Sequence, residues 1–193
     1  AVLFNLEKPD TWRDGLVKGA TDAKNVVTLG TSDDLYDKIM GEDGVIAKVE
    51  EAGFFPSGHM GDVTMRAKLR GLKDSTGQPI FKSDMQGATS YALDGSPMDF
   101  PRNGAFDKAQ ALMITGDFSQ LVYSIRQDVT YKLLDQATML IHQRKEVVYA
   151  LAQQDMVALR IVMRLGWEVP NPINGLKEKE SERFPFAILK SGV

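Results

Sequence analysis

The residues that could carry acid–base chemistry are few in this sequence of 193 residues. It contains two histidines, His59 and His142, and no cysteine, which excludes thiol catalysis, thiolate metal sites and disulfides. His59 lies near Ser57 and Asp62, the residue types of a Ser–His–Asp hydrolase. The spacing matches no nucleophile motif, and no Gly-x-Ser-x-Gly sequence occurs. We predict that His59 is a loop or helix-start residue, and a small hydrolase using His59, Ser57 and Asp62 stays the weaker alternative.

The sequence gives equally little support for a metal or cofactor site. His142 is followed by Gln143, Arg144 and Lys145, which indicates a solvated turn, and two histidines without cysteine do not favour a transition-metal site. The acidic clusters, such as Asp33–Asp34, read as helix starts or solvated faces rather than as acid–base pairs. No calcium loop or phosphate-binding loop is present. The sequence therefore predicts no catalytic residue, no metal, no cofactor and no enzymatic activity.

Composition and charge set further limits. The chain is 43% hydrophobic and 25% charged, values typical of a globular protein with a sizeable core. Its net charge of −3 does not indicate a nucleic-acid-binding surface overall. No apolar run reaches the length of a transmembrane span, and residues 1–15 lack the pattern of a signal peptide. We therefore predict no membrane partner, and the apolar start at Ala1 suggests a cut or processed end.

The elements that must position any functional residue are dominated by two segments between Leu121 and Trp167. In each, apolar and polar residues alternate with a period of two, which predicts a β-strand with one buried face. A strand of about twelve residues spans roughly 40 Å, about twice the usual length, and we expect it to extend beyond a compact core. The apolar residues are Leu121, Tyr123, Ile125, Val129, Tyr131 and Leu133 in the first segment, and Val157, Leu159, Ile161, Met163, Leu165 and Trp167 in the second.

Three arginines lie on the polar faces of these strands: Arg126, Arg160 and Arg164. One interpretation is a solvated sheet face. The other is that the guanidinium groups, which suit interface ion pairs, meet carboxylates of a neighbouring chain. The subunit-interface candidates are Arg126, Asp128, Arg160, Arg164 and Glu168, with Asp135 as a further acceptor.

The other predicted elements mix helices and strands without a regular βαβ order, which favours the α+β class. In chain order they are a helix capped by Thr31 or Ser32, carrying Leu35, Ile39, Ile46 and Val49 and interrupted at Gly41 and Gly44; a strand at Phe54–Phe55; a helix at Asp62–Leu72; loops at 82–105 with strand fragments at 91–93 and Met98; a strand at Ala109–Ile114; a short helix at Glu146–Gln154; and a last strand at Phe184–Lys190.

The order of several motifs resembles the C-terminal part of tailed-bacteriophage major capsid proteins. The motifs are a Leu-x-Gly-x-Pro element (Leu93, Gly95, Pro97), a glycine-led strand at Gly116–Phe118 and an Ala-x-Arg strand at Ala158–Arg160. The resemblance covers roughly residues 33–190. It implies the Hong Kong 97-type capsid fold: an axial-domain mixed sheet flanked by helices, and a peripheral-domain long β-hairpin.

The resemblance also implies a domain order. Residues 1–15 would end the spine helix and form a linker, residues 16–116 the axial domain, residues 117–169 the peripheral strands and tip, and residues 170–193 a connection and the last axial strand. The N-terminal arm, the extended loop and most of the spine helix would lie outside this sequence. The lysine–asparagine crosslink of some family members is not expected, because no asparagine occurs between Asn103 and Asn171.

The function implied is that of a structural capsid subunit of a phage or prophage. It would assemble with itself, as pentamers and hexamers, into an icosahedral shell that encloses DNA, contacting that DNA non-specifically. Scaffold, portal or decoration proteins are possible further partners. The implied location is the virion, with assembly in the cytoplasm of the host bacterium. The alternatives are a cellular nanocompartment shell of the same fold, the hydrolase, and a ligand-binding module using the loops at 82–105.

Overall fold

The chain divides into two compact units. The structure is a computed structural model that describes residues 2–4, 6, 8–73, 91–104, 106–141 and 146–192. The first, here called the core unit, comprises Ala1–Val122 and Glu168–Val193. The second, here called the strand unit, comprises Tyr123–Trp167.

Four helices and ten strands make up the described regular structure, together with 3-10 turns at Val2–Phe4, Phe118–Gln120 and Glu180–Glu182. In chain order they are α1 (Leu16–Asp22), β1 (Val26–Leu29), α2 (Leu35–Met40), α3 (Val45–Glu51), β2 (Gly58–Gly61), α4 (Val63–Arg70), β3 (Ala92–Leu93), β4 (Ser96–Asp99), β5 (Met113–Gly116), β6 (Val122–Leu134), β7 (Thr138–Ile141), β8 (Glu146–Ala150), β9 (Ala158–Glu168) and β10 (Phe186–Ser191).

A mixed sheet of six strands, in the order β1-β10-β5-β2-β4-β3, forms the centre of the core unit. Strand β10 pairs in parallel with β1 and antiparallel with β5, so that Ile188 lies between Val26 and Ile114. Its side chains alternate between two apolar clusters. Ala187 and Leu189 belong to the cluster that contains α2, α3 and α4 residues, whereas Phe186 and Ile188 belong to the cluster that contains α1 residues. Both faces of the sheet are therefore buried, which explains the continuous apolar run at its centre.

Aspartate side chains start two of the helices over this sheet. The Asp34 carboxylate accepts a hydrogen bond from Tyr36 N (2.9 Å) at the start of α2, and Asp62 accepts one from Thr64 N (2.9 Å) at the start of α4. The predicted cap at Thr31 or Ser32 is therefore wrong. The predicted interruption by Gly41 and Gly44 is confirmed, because α2 and α3 are separate helices. The predicted helix at Asp62–Leu72 is also confirmed, with fully buried Met65 and Leu69 on its inner side.

The Leu-x-Gly-x-Pro element forms a tight hairpin between β3 and β4. Asp94 and Gly95 have positive φ angles of 48° and 74°, as a two-residue type I′ turn requires. Glycine supplies this conformation without strain, and an aspartate tolerates it. The strand fragments predicted around 91–93 and Met98 are thus confirmed as one hairpin, although 82–90 and 105 lie outside the described residues.

Three other predicted elements differ from the structure. Phe54–Phe55 is not a strand, because only Phe54 is buried and the chain pairs later, at β2. The strand predicted at Ala109–Ile114 begins at Met113, after a turn in which Gln110 N donates to Asp107 O. The segment Glu146–Gln154 is not a helix. Its first five residues form β8, which pairs antiparallel with β7, and turns follow from Leu151.

The strand unit contains two sheets of two strands each, β6 with β9 and β7 with β8. The two predicted long strands are present, with 13 residues in β6 and 11 in β9. Leu151, just after β8, is buried and donates its N–H to Ala137 O at 3.1 Å. The assignment of residues 16–116 and 117–169 to axial and peripheral domains stays a prediction.

Candidate assembly surface

The apolar rows of β6 and β9 lie in solvent. The exposed fraction of the apolar side chains from Tyr123 to Leu133 runs from 38% to 72%, and that of Leu159 to Leu165 from 46% to 57%. Neither strand has a buried residue. The prediction that one face of each strand is buried is therefore wrong for the single chain, because no described element of the strand unit covers that face. Contiguous exposed apolar surface of this kind is typical of a site where another protein binds.

The polar rows of the same strands carry unneutralised positive charge. Arg126, Arg160 and Arg164 are exposed, and none forms an ion pair within the described part of the chain. The Asp128 carboxylate accepts a hydrogen bond from Val129 N at 2.7 Å. Glu168 is already paired, since its carboxylate lies 2.7 Å from Arg13 Nε. The guanidinium groups are thus available to carboxylates of another molecule, and their pairing across an interface stays a prediction.

The pairing of β6 with β9 is reinforced by a side chain. Thr130 Oγ1 donates a hydrogen bond to Val162 O at 3.3 Å. β-Branched and aromatic residues recur along both strands, and they favour extended backbone. A two-stranded sheet is only marginally stable in water by itself. Burial of the exposed apolar rows would therefore stabilise this two-stranded sheet.

His59, the leading candidate for catalysis, is a buried residue of β2 with 2% of its surface exposed. Its Nε2 lies 3.0 Å from Leu93 O and its Nδ1 lies 3.1 Å from Thr115 Oγ1. Because a carbonyl only accepts, Nε2 donates to it and the neutral ring accepts from the Thr115 hydroxyl at Nδ1. Burial lowers the pKa of His59 below its ordinary value of 6.5, against the opposing effects of Leu93 and Asp94. The predicted loop or helix-start position is wrong, because His59 links three strands of the sheet.

Ser57 and Asp62 have structural partners of their own. Ser57 Oγ accepts the Phe118 N–H at 2.8 Å, and Asp62 caps α4. Burial works against the charged form of Asp62, but hydrogen bonds from Thr64 outweigh it and lower its pKa. No hydrogen bond joins His59 to Ser57 or Asp62 among those of the described residues. The three side chains therefore do not form the nucleophile–base relay of a hydrolase.

The described ranges contain no group of three or more His, Cys, Asp or Glu side chains placed to hold a metal ion. No helix in them has both the length and the apolar character needed to cross a bilayer. His142 lies outside the described residues.

Residues 11–177 match the Phage capsid family. The chain belongs to this family. Over 105 residues, 54% of the chain, it is 30% identical to the major capsid protein of Staphylococcus phage 80alpha. Solved structures from Mycobacterium phage Adephagia and Microbacterium phage Oxtober96 superpose on 100% and 98% of this capsid-family chain, with TM-scores of 0.75 and identities of 27% and 31%. The predicted α+β phage capsid fold is thus confirmed.

The capsid-family chain spans only part of the length of these relatives. It covers 31% of the 80alpha protein and 59% of each of the two solved chains. The family assignment indicates a structural rather than an enzymatic protein, and it makes the exposed surfaces of the chain the natural places to look for function.

Three further exposed apolar side chains of this capsid-family chain were not predicted from the sequence. They are Phe55, Ile173 and Leu176, all in the core unit. The segment of Asn171 to Glu182 reads from sequence as a polar connection, and two isolated apolar residues within it give no periodic pattern. The one available signal was the placement of Ile173 directly after Pro170, Asn171 and Pro172, which restrict the backbone.

Proposed function

We propose that this chain is a structural subunit of a phage or prophage icosahedral capsid, which assembles through repeated contacts between copies to enclose DNA. The observation that carries the proposal is the exposed pair of long strands, β6 and β9, in a chain of the phage capsid family. Many weak, repeated interfaces add up to a stable closed shell, so a subunit must present apolar surface that is covered only on assembly.

The domain roles in the proposal follow the order that the resemblance implies. Residues 16–116 and the last strand, β10, form the axial domain that meets its copies around five-fold and six-fold vertices. Residues 117–169 form the peripheral domain along the edges between pentamers and hexamers. The strand unit supports this division because it is a separate compact unit whose long strands, β6 and β9, contain no buried residue.

The polar faces of β6 and β9 supply the proposed ion pairs. Arg126, Arg160 and Arg164 meet carboxylates of a neighbouring copy, with Asp128 and Asp135 as acceptors. Glu168 takes part by exchanging its Arg13 partner or by sharing it. Their exposure and their lack of ion pairs within the described residues support this role, since charged groups across an interface set its register and partner choice.

Further partners belong to the same proposal. They are the packaged DNA, contacted non-specifically, and scaffold, portal or decoration proteins. The site of action is the virion, after assembly in the cytoplasm of the host bacterium. A cellular nanocompartment shell is the second candidate, and the similarity to phage major capsid proteins favours the phage shell.

A charge-reversal experiment tests the proposed interface. The whole gene product that contains these residues is expressed, and particles are counted by electron microscopy and sedimentation. Arg160→Glu with Arg164→Glu is expected to remove particles while circular dichroism of the 193-residue chain stays unchanged. The matched control is Arg102→Glu, an exposed arginine of the core unit, which should still give particles. Normal particles from the double variant would rule out the interface role, and no particles from the unaltered protein would count against the capsid function itself.

A further inference from the structure

The stretch of chain between Asp62 and Asp74 carries positive charge only. It contains the whole of α4, four basic residues and no acidic one. The basic residues are Arg66, Lys68, Arg70 and Lys73. Arg66 is half-buried and the other three are exposed. None of the four forms an ion pair within the part of the chain that the structure describes, so no carboxylate there neutralises them.

Three of these residues follow one side of the helix. Arg66 and Arg70 are four residues apart, which places them on the same side of α4. The chain keeps turning after the helix ends, because Leu72 N donates to Leu69 O at 3.1 Å. Lys73 therefore follows seven residues after Arg66, about two turns along. At 1.5 Å per residue, the three positions extend over about 10 Å. We call Arg66, Arg70 and Lys73 the basic stripe.

The nearest carboxylates in the described structure have other partners. Asp33 shares a cavity with Lys68, which lies on the other flank of α4, and it is bound by Gly30 N at 2.9 Å and Lys38 Nζ at 3.6 Å. Asp62 accepts a hydrogen bond from Thr64 N at the start of α4 and forms no ion pair with the basic stripe. The stripe is therefore the part of the segment with uncompensated charge.

An aromatic ring positions the first member of the stripe. The Arg66 guanidinium carbon lies 4.9 Å from the centre of the Tyr91 ring, as in a cation–π contact. Arg66 donates no hydrogen bond to any described residue, and its Nε is buried without an acceptor among them. The ring thus orients the guanidinium without using its N–H donors. Planar guanidinium donors suit phosphate oxygens, which they bind in pairs.

The helix macrodipole explains only part of this charge. It favours basic residues in the last turn of a helix and falls off beyond that turn. Lys68 and Arg70 lie in the last turn of α4. Arg66 lies before that turn and Lys73 after the helix, so the macrodipole accounts for neither.

Small side chains surround the stripe on the exposed side of α4. Thr64, Ala67 and Gly71 are exposed there, and Val63, at the first residue of the helix, is the only exposed large apolar side chain between Asp62 and Lys73. The centre of a protein–protein interface is usually rich in large apolar and aromatic residues. Contacts to a phosphate backbone need positive charge and hydrogen-bond donors instead. The composition of this surface therefore favours a nucleic-acid backbone over an acidic protein.

We propose that the basic stripe of α4 contacts the phosphate backbone of DNA, without regard to its sequence. This inference rests on the proposed function, a shell that encloses DNA, and it names the surface that meets the DNA. Duplex DNA carries one negative charge per about 1.7 Å of its axis, so several phosphates lie within the length of the stripe. Each neutralised phosphate releases counterions, which drives binding at low salt.

The salt dependence of DNA binding tests the contact. The probe is a fluorescently labelled 24-base-pair duplex of arbitrary sequence, titrated with the 193-residue chain and followed by anisotropy. Three phosphate contacts predict a slope of about −2.7 in a plot of log K against log salt, which is about a 40-fold weakening between 50 and 200 mM salt. A chain that does not bind the duplex at 50 mM salt would overturn the proposal.

Paired variants assign the binding to the stripe. Arg70→Gln with Lys73→Gln should reduce the slope to about −0.9 and weaken binding at 50 mM salt by roughly tenfold or more. The matched control is Arg102→Gln with Lys190→Gln, which removes the same charge from two exposed residues elsewhere in the core unit and should keep the original slope. Equal slopes for the stripe variant and the control would overturn the proposal.

Two other outcomes would assign the surface differently. If Arg160→Gln with Arg164→Gln lost the DNA binding instead, the contact would lie on the strand unit and the stripe would be rejected. If a poly-glutamate peptide of the same charge bound the chain as tightly as the duplex, the partner would be an acidic protein, which would also overturn the proposal.

Particle formation separates this inference from the proposed function. The whole gene product with Arg70→Gln and Lys73→Gln is expected to form as many particles as the unaltered protein, counted by electron microscopy, because the stripe lies outside β6 and β9. Loss of particles from this variant would make the stripe a contact between copies and overturn the DNA contact. Absence of particles from the unaltered protein would instead reject the capsid proposal.

Discussion

The core unit buries large apolar residues, whereas the strand unit exposes residues of similar type in β6. In the core unit, Phe186, Ile188 and Leu189 of β10 are fully buried between helices on both faces of the sheet. In the strand unit, Tyr131 and Leu133 of β6 lie in solvent. Burying such a side chain contributes about 1.5–3 kcal/mol, so β10 gains this on folding and the exposed row of β6 does not. The proposed assembly accounts for this difference, because it would bury the exposed row of β6 against a neighbouring copy.

The largest expected effect is a cavity in the core unit. Phe186→Ala should lower the free energy of unfolding by about 3–5 kcal/mol, because Phe186 is fully buried and packs its ring against Phe118 and Phe184. Urea unfolding of the 193-residue chain, followed by tryptophan fluorescence, measures it. The conservative substitution Phe186→Leu should lower the free energy of unfolding by less. A loss under about 1 kcal/mol for Phe186→Ala would show that the core unit is no better packed than the strand unit.

Some of these elements can be predicted from the sequence and others cannot, for physical reasons. The long alternation that ends at Leu133 predicts a strand because period-two patterning needs no knowledge of partners. The same pattern cannot say what covers the apolar row, so the buried face was predicted wrongly. Strand β2 (Gly58–Gly61) has two glycines and no alternation, and it forms only because β5 and β4 pair with it. The predicted position of His59, in a loop or at a helix start, was therefore wrong. The loop at Asn174 lies against Ala52 through a long-range hydrogen bond that no local sequence pattern indicates.

A smaller effect is expected from pH at His59. Its pKa is lowered by burial in the folded state, so the unfolded chain binds the proton more readily. The stability that this group contributes is present above its unfolded value of about 6.5 and is lost as the pH falls from there toward the folded pKa. Urea unfolding between pH 7.5 and pH 5 measures the loss.

His59→Gln provides the matched control for that pH series. Glutamine can still donate to Leu93 O, which now accepts from Nε2 at 3.0 Å, but it does not titrate. The variant should therefore lose less stability than the unaltered chain over the same pH interval. If the free energy of unfolding fell equally with pH for the two proteins, groups other than His59 would set the pH dependence. His59 would then not be a difference between the core unit and the strand unit.

The smallest effect on folding is expected where the chain leaves its apolar surface in water. Tyr131→Ser removes a side chain that is 69% exposed, so the free energy of unfolding of the 193-residue chain should change by less than about 0.5 kcal/mol. Particle yield from the whole gene product should fall nevertheless, because the lost apolar area would have been buried against a neighbouring copy. Thr130→Ser, the adjacent residue on the polar row, keeps the hydroxyl that bonds Val162 O and should leave both quantities unchanged. If Tyr131→Ser destabilised the single chain as strongly as Phe186→Ala, the strand unit would have a core of its own, and the contrast between the two units would disappear.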